Sequence, residues 1–224
     1  RQLLDAIDSG SLSMEELDVC VDDLLDAVLT LSENRKTHKT TFDKEAHHAL
    51  AKEAAEESIV LLKNEDRLLP LPKECKVALI GDFAFVPRYQ GTGSSMVNAT
   101  QVETMEQMIG DYSVMLVGAV SGYCRSGEVD EAKKKAAVRA DVVLFCFGLD
   151  ELSESEGLDR THMRIPENQI DLLKTLAQVN PNIVGILSAG SAVEMPWEKY
   201  CKSILHGYLG GQAGAGAMLN VLTG

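Results

Sequence analysis

The stretch Asp150 to Arg160, DELSESEGLDR, carries the densest set of groups in this sequence that could do chemistry. Glu151, Glu154 and Glu156 are crowded there with Gly157, Asp159 and Arg160. Acidic loops of soluble proteins are ordinarily just solvated. Glu156 is set apart by the glycine that follows it, because a residue without a Cβ lets the backbone turn sharply and leaves the preceding carboxylate prominent. Repulsion from Glu151, Glu154 and Asp159 would raise the Glu156 pKa and Arg160 would lower it, a balance the sequence leaves open. A raised, part-desolvated carboxyl is what a general acid needs at neutral pH, and Glu156 is the candidate acid/base. Asp159 and Arg160 are expected to pair and fix the loop.

Other chemistries fit less well. Gly91-Thr92-Gly93-Ser94 lies about ten residues beyond its strand and is not followed at once by a helix, so it lacks the context of a dinucleotide fingerprint. GGQAGAG from Gly210 precedes a helix and could hold an anion at its N-terminus, but no GK[ST] accompanies it, and tight helix-on-strand packing explains it as well. Gly190-Ser191-Ala192 lacks the second glycine of a nucleophile elbow. His47 and His48 are adjacent, about 100° apart on a helix, which suits a shared metal poorly. His206 ends an apolar strand, where a hydrogen-bonded core histidine is expected. No metal site and no cofactor are therefore expected.

The elements that must position these groups alternate. Apolar runs at 76–81, 114–120, 142–147, 183–187 and 203–206 read as strands, and helical patterns fall at 100–109, 129–139, 167–178 and 212–222. Strands that are apolar throughout and spaced by helices imply a parallel sheet buried on both faces, a three-layer α/β/α sandwich with a mainly parallel sheet. Ligands of such sheets bind beyond the carboxyl ends of the strands. Every segment there is rich in small residues: RYQGTGSS from Arg88, the acidic loop, SAGSA from Ser188 and GYLGG from Gly207.

Upstream, an alanine-rich helix runs from Asp43 to about Glu57 with Leu50, Ala54 and Ala55 as its packing face, and Ser58 to Lys63 reads as a strand. Residues 1–34 form two helical patterns with nine acids against Arg1 alone; Ser13 and Glu16 make a capping box, and Leu17, Val21, Leu24, Leu25 and Val28 make an apolar stripe in want of a partner. Asn34 to Thr41 reads as a linker. The organisation expected is a helical segment with linker over residues 1–42, preceding a sandwich domain over 43–224.

With 34 acidic and 21 basic residues, a net charge of −13 argues against nucleic acid as a partner; the one basic cluster, Lys133 to Lys135, reads as a solvated helix face. No run of about 18 apolar residues is present, so no membrane span is expected. Five scattered cysteines without paired spacing are expected to be free thiols, which points to a reducing, cytoplasmic compartment. The chain opens on Arg1 and closes on Gly224 without an evident stop, so both ends are expected to be cut.

Long motifs in a fixed order resemble the family 3 glycoside hydrolases of β-glucosidase type: SIVLLKNEDRLLPLP at Ser58, VALIGDFA at Val77, PRYQGTGSSMVNAT at Pro87, SESEGLDRTHMRIPENQIDLL at Ser153 and HGYLGGQAGAGAMLNVLTG at His206. The resemblance implies a retaining glycosidase of two carboxyl groups. It places the acid/base at Glu156 within E-G-x-D-R, and it puts Gly93, Ser94, Glu154, Asp159 and Arg160 at the sugar. It also implies a partner: an N-terminal (β/α)8 barrel of the same protein, carrying the nucleophilic aspartate, of which residues before 34 would be the tail. The substrate implied is a β-glucoside or related oligosaccharide, and the chain without the barrel is expected to be inactive. The alternative is a non-catalytic α/β carbohydrate-binding or scaffolding module.

Overall fold

The computed structural model describes residues 1–38, 41–123 and 131–224, which fold as two units, 1–44 and 45–224. The first unit holds α1 (Gln2–Asp8) and α2 (Met14–Thr37). The Ser13 hydroxyl accepts the Glu16 N–H while the Glu16 carboxylate accepts the Ser13 N–H at 2.9 Å, so α2 opens on the capping box read from the sequence. The Ser13 N–H first, and the Ser13 hydroxyl donating to the same carboxylate at 2.8 Å second, hold the Glu16 carboxyl below the usual glutamate range. Residues expected to form a linker continue α2 to Thr37 instead, because Arg35 and Lys36 are good helix formers that complement the helix's negative end. Neither helix buries a residue.

The second unit runs α3 (Lys44–Ser58), β1 (Val60–Asn64), β2 (Lys76–Ile80), α4 (Met105–Met108), β3 (Met115–Val120), α5 (Glu131–Arg139), β4 (Val142–Gly148), α6 (Glu167–Ala177), β5 (Ile183–Ser188), β6 (Ser203–His206) and α7 (Gly214–Thr223). One six-stranded sheet in the order β1-β6-β5-β4-β2-β3 is parallel except where β1 pairs antiparallel with β6. Side chains alternate across it with the period of two that a strand imposes. Along β4, Val143, Phe145 and Phe147 join Ala136 and Ala137 of α5 and Leu173 and Leu176 of α6 in one core, while Val142, Leu144 and Cys146 join Met105, Leu219 and Leu222 in the other. The expected three layers result.

Several local expectations are corrected. Burial on both faces holds for the inner strands; the edge strands β1 and β3 stay largely exposed, having a neighbour on one side only. The helix expected over 100–109 is a single turn, α4, followed by a 3-10 turn at Ile109–Asp111. The preceding backbone is committed elsewhere: the Glu103 N–H donates to the Gln212 carbonyl at 2.9 Å. Leu50 is exposed, and α3 turns His48, Lys52 and Ala55 inward, because the polar members of that face find partners: His48 Nε2 meets Glu103 Oε1 at 2.8 Å and Lys52 donates to the Tyr112 hydroxyl at 3.2 Å. Lys133 is buried rather than solvated, since α5 lays it on the same face as Ala136 and Ala137. The expected start of that helix at 129 and 130 lies outside the described residues, as does Cys124. No helix among the described residues is long and apolar enough to cross a membrane.

Topology fixes where a ligand can sit. From β2 the chain moves outward to β3, then returns to place β4 on the other side of β2, and from there steps through β5 to β6. The loops leaving the carboxyl ends of β2 and β4 thus diverge at a switch point, where open parallel sheets leave a crevice.

Candidate active site

A cleft of about 870 Å³ opens at that switch point. Its walls come from four strand exits: Arg88, Gly91, Thr92, Ser94 and Ser95 after β2; residues 153–156 and 158–163 after β4; Gly190 and Ser191 after β5; and Leu209 after β6. The small-residue loops expected on one rim are brought together there.

The loop after β4 is built in steps. Gly148 ends the strand at φ +146°, and a Cβ there would lie 1.8 Å from the Ser188 carbonyl oxygen, so only glycine lets β4 and β5 close up at the rim. Asp150 then accepts from the Ser153 N–H at 2.8 Å and its hydroxyl at 2.7 Å, the side-chain turn aspartate favours. Ser155 bridges to Thr92, and the Glu156 N–H donates to the Thr92 carbonyl at 3.2 Å, stitching this loop to the one after β2. Gly157 follows at φ +79°, the sharp turn expected of it.

Glu154 and Glu156 point to different tasks. Glu154 is almost wholly enclosed: Oε2 accepts the Gly190 N–H at 2.9 Å, Oε1 accepts the Ser191 hydroxyl at 2.5 Å, and the buried Arg88 Nη2 stands 4.0 Å away. Both of its oxygens are occupied by the scaffold. Glu156 is exposed in the cleft; its Oε2 accepts the Ser94 N–H at 2.7 Å and also the Ser94 hydroxyl, while Oε1 takes no hydrogen bond among the described residues. Gly93 makes this approach possible: it sits at φ +101°, and a Cβ on it would fall 2.7 Å from both Cβ and Oε2 of Glu156.

The structure settles the electrostatic balance that the sequence leaves open. Neighbouring carboxylates do not raise Glu156; the Ser94 hydroxyl first, and the Ser94 N–H second, hold it below the usual glutamate range. Nor do Asp159 and Arg160 pair. Arg160 Nη2 instead donates to the Ser191 hydroxyl oxygen at 2.9 Å and to the Ala192 carbonyl at 2.6 Å, because the loop runs back over the β5 exit and presents the guanidinium to unpaired acceptors there. Ser191 is thereby a relay, accepting from Arg160 and donating to Glu154. Asp159 lines the cleft and is exposed.

Sequence reasoning did not single out Arg88, Thr92 or Ser191 as parts of this framework. An arginine directly before a glycine-rich strand exit was the available signal for the first; the other two act through a backbone carbonyl and a relayed hydroxyl. Elsewhere, the first turn of α7 is already filled by the protein itself, the Gly216 N–H donating to Glu103 Oε2 at 2.8 Å, which agrees with packing rather than anion binding. His48 has Gln212 at 2.8 Å on its other nitrogen. His206 Nε2 lies 3.1 Å from the Ala189 carbonyl and its ring stacks on Tyr208, as expected of a hydrogen-bonded histidine at a strand end. Burial pushes the Cys146 thiol up to about 12, so it is no nucleophile at neutral pH.

Comparisons with known proteins agree with this geometry. Over its whole length the chain is 45% identical to the thermostable beta-glucosidase B of Acetivibrio thermocellus and 36% identical to an exo-alpha-(1->6)-L-arabinopyranosidase of Bifidobacterium breve, spanning 30% and 31% of those proteins. The crystal structure of a GH3 beta-glucosidase from Bifidobacterium adolescentis superposes with a TM-score of 0.83 at 38% identity, covering 99% of this chain and 33% of that one. A beta-glucosidase from Listeria innocua in complex with isofagomine superposes at 0.80 and 25% identity, covering 99% of this chain and 32% of that one. The chain thus spans about a third of the length of the relatives it matches. The profile of the glycosyl hydrolase family 3 C-terminal domain matches residues 59–224, and with the sheet, the cleft and these relatives in view, the chain belongs to that family.

Proposed function

We propose that this chain supplies the general acid/base half of a retaining β-glycosidase active site, with Glu156 as the acid/base. In the first step the Glu156 carboxylic acid gives its proton to the departing glycosidic oxygen while a nucleophilic carboxylate attacks the anomeric carbon. In the second, the Glu156 carboxylate takes a proton from the water that displaces that nucleophile. The nucleophile is assigned to the barrel expected in the remainder of the protein. The substrate class is a terminal β-glucoside or related oligosaccharide, as the name of the Acetivibrio relative suggests. Asp159 and Arg160, with the Gly93-Ser94 turn, would line the sugar's side of the cleft, and Glu154 would brace the wall.

The observation that carries this reading is the contrast between two neighbouring glutamates. Glu154 has both oxygens bound by the scaffold, whereas Glu156 stands in the cleft with one oxygen anchored and the other taking no hydrogen bond among the described residues. An acid in the first step must be protonated, and the lowered pKa of Glu156 favours the ionised form. Enclosure by the rest of the protein would withdraw water from the carboxylate and oppose that lowering.

The test is Glu156→Ala in the full-length protein. Turnover of alkyl glucosides should fall by about 10²- to 10⁴-fold, that of nitrophenyl glucosides much less because their leaving group needs little protonation, and azide should restore activity by forming the glycosyl azide. Should Glu154→Ala give this pattern and Glu156→Ala not, the assignment is wrong.

A further inference from the structure

We propose that Ser94 is a positioning residue for Glu156, holding one carboxylate oxygen so that the acidic proton resides on the other, the one left free to meet the leaving group. This rests on the acid/base reading above and adds to it an assignment of which oxygen acts and what selects it.

Two ties orient the carboxylate. The Glu156 N–H donates to the Thr92 carbonyl at 3.2 Å within the parallel bridge of Ser155 to Thr92, and the Ser94 N–H and hydroxyl converge on the single oxygen Oε2, the N–H at 2.7 Å. Between Thr92 and Ser94 stands Gly93, with no room for a Cβ against Glu156. The backbone of Glu156 and the tip of its side chain are thus gripped by one three-residue turn. Two donors on Oε2 leave no favourable place for a proton there, since protonating it would cost one of the bonds; the proton of the acid form falls to Oε1. The Ser94 hydroxyl hydrogen is spent on Glu156 in this arrangement, so its role is to orient Glu156 rather than to donate to a sugar. The other ionisable groups lining the cleft are Arg88 from the β2 exit and Glu154, Asp159, Arg160 and His162 from the loop of Glu156 itself. Among the described residues none of them forms an ion pair with Glu156. The Ser94 donors therefore dominate its state, in agreement with the direction of its pKa.

The test compares Ser94→Ala and Ser94→Thr in the full-length protein, using pH profiles of kcat/KM and separate kcat and KM values on an alkyl glucoside. Loss of the hydroxyl should move the basic limb to higher pH, because a donor to the ionised form has gone, and should lower kcat by about 10- to 100-fold through loss of orientation. Ser94→Thr, which keeps the hydroxyl, should return the limb towards its original position. A limb that stays in place while KM rises would overturn the proposal and make Ser94 a sugar contact. Azide rescue of Glu156→Ala separates the two levels: rescue with an unmoved Ser94→Ala limb sinks the positioning role alone, and absence of rescue sinks both. Thermal unfolding of each variant checks folding, and a variant that fails to fold is replaced by Ser94→Cys, which removes the strong donor with little change of size and should move the limb the same way.

Discussion

Gly93 and Glu156 occupy one another's space, which makes the glycine as consequential as the carboxylate. In Gly93→Ala the new methyl group would lie within 2.7 Å of the Glu156 side chain at a φ that L-residues resist. The carboxylate must move. Expected in the full-length protein are a fall in kcat of about 100-fold and a backbone cost of about 1–3 kcal/mol, read by kinetics and by thermal unfolding. Kinetics like those of the parent would mean that the turn relaxes without disturbing Glu156. Glu154 offers the opposite case. Its removal leaves the buried guanidinium of Arg88 without a counter-charge, so Glu154→Ala should lose about 3 kcal/mol in urea unfolding, whereas Glu156→Ala, which gives up only an exposed tie to Ser94, should lower the midpoint much less. Equal midpoints for the two variants would sink this division of labour. Acid has a defined sign here. The folded pKa of Glu156 is depressed, so its tie to Ser94 contributes fully above the unfolded value and is lost as pH falls through the folded one. The prominence of Glu156 was readable from the glycine after it, which does adopt a turn. The partner of Arg160 was not readable, because adjacency to Asp159 in a loop says nothing of where a long guanidinium arm meets unpaired acceptors from another strand.

At the scale of elements, β4 does most to place the site. Phe147, fully buried, packs at 4.8 Å between ring centroids on both Phe145 and Trp197, one residue before the glycine from which the acidic loop departs. Phe147→Ala should cost about 3–5 kcal/mol in urea denaturation of this chain, a loss that a rearranged core would reduce to under 1. In the first unit, the cap of α2 predicts a pH response. Because Glu16 titrates below its unfolded value, helix content measured by circular dichroism should hold above the usual glutamate range and fall as pH drops through the folded pKa. Glu16→Gln should remove that acid step, and a step of unchanged size would show that other carboxylates cause it. Strands β4 and β5 were legible because burial on both faces makes a run apolar throughout, and helix α6 because burial on one face writes a period of 3.6. The face of α3 was not: His48 and Lys52 turn inward by virtue of Glu103 and Tyr112, 55 and 60 residues away in sequence. The over-long helix before β3 failed for the same reason, Glu103 having commitments to α3 and α7 that no local pattern records.

For the whole molecule, the chain is expected to fold and yet to lack activity. A cooperative urea transition together with no release of nitrophenol from nitrophenyl β-glucoside is the predicted result; measurable hydrolysis would place a nucleophile within the chain, with Asp159 in the cleft as the first residue to replace. The motifs that carry the resemblance run from Ser58 to Gly224, nearly the span over which the family profile matches, and they include the β2 and β4 exits that form the rim. The cross-bracing of the rim could not be read in the same way, since each brace joins exits of strands far apart in sequence. It bears on engineering. With Gly148 pressed against Ser188, Glu154 and Arg160 lodged in the β5 exit, and Glu156 held by the β2 exit, the three loops form a joint rather than interchangeable parts. Grafting residues 149–163 alone into a relative would transplant one face of that joint onto a mismatched seat, so recombination between such enzymes should succeed only when segments 88–95, 149–163 and 188–192 travel together.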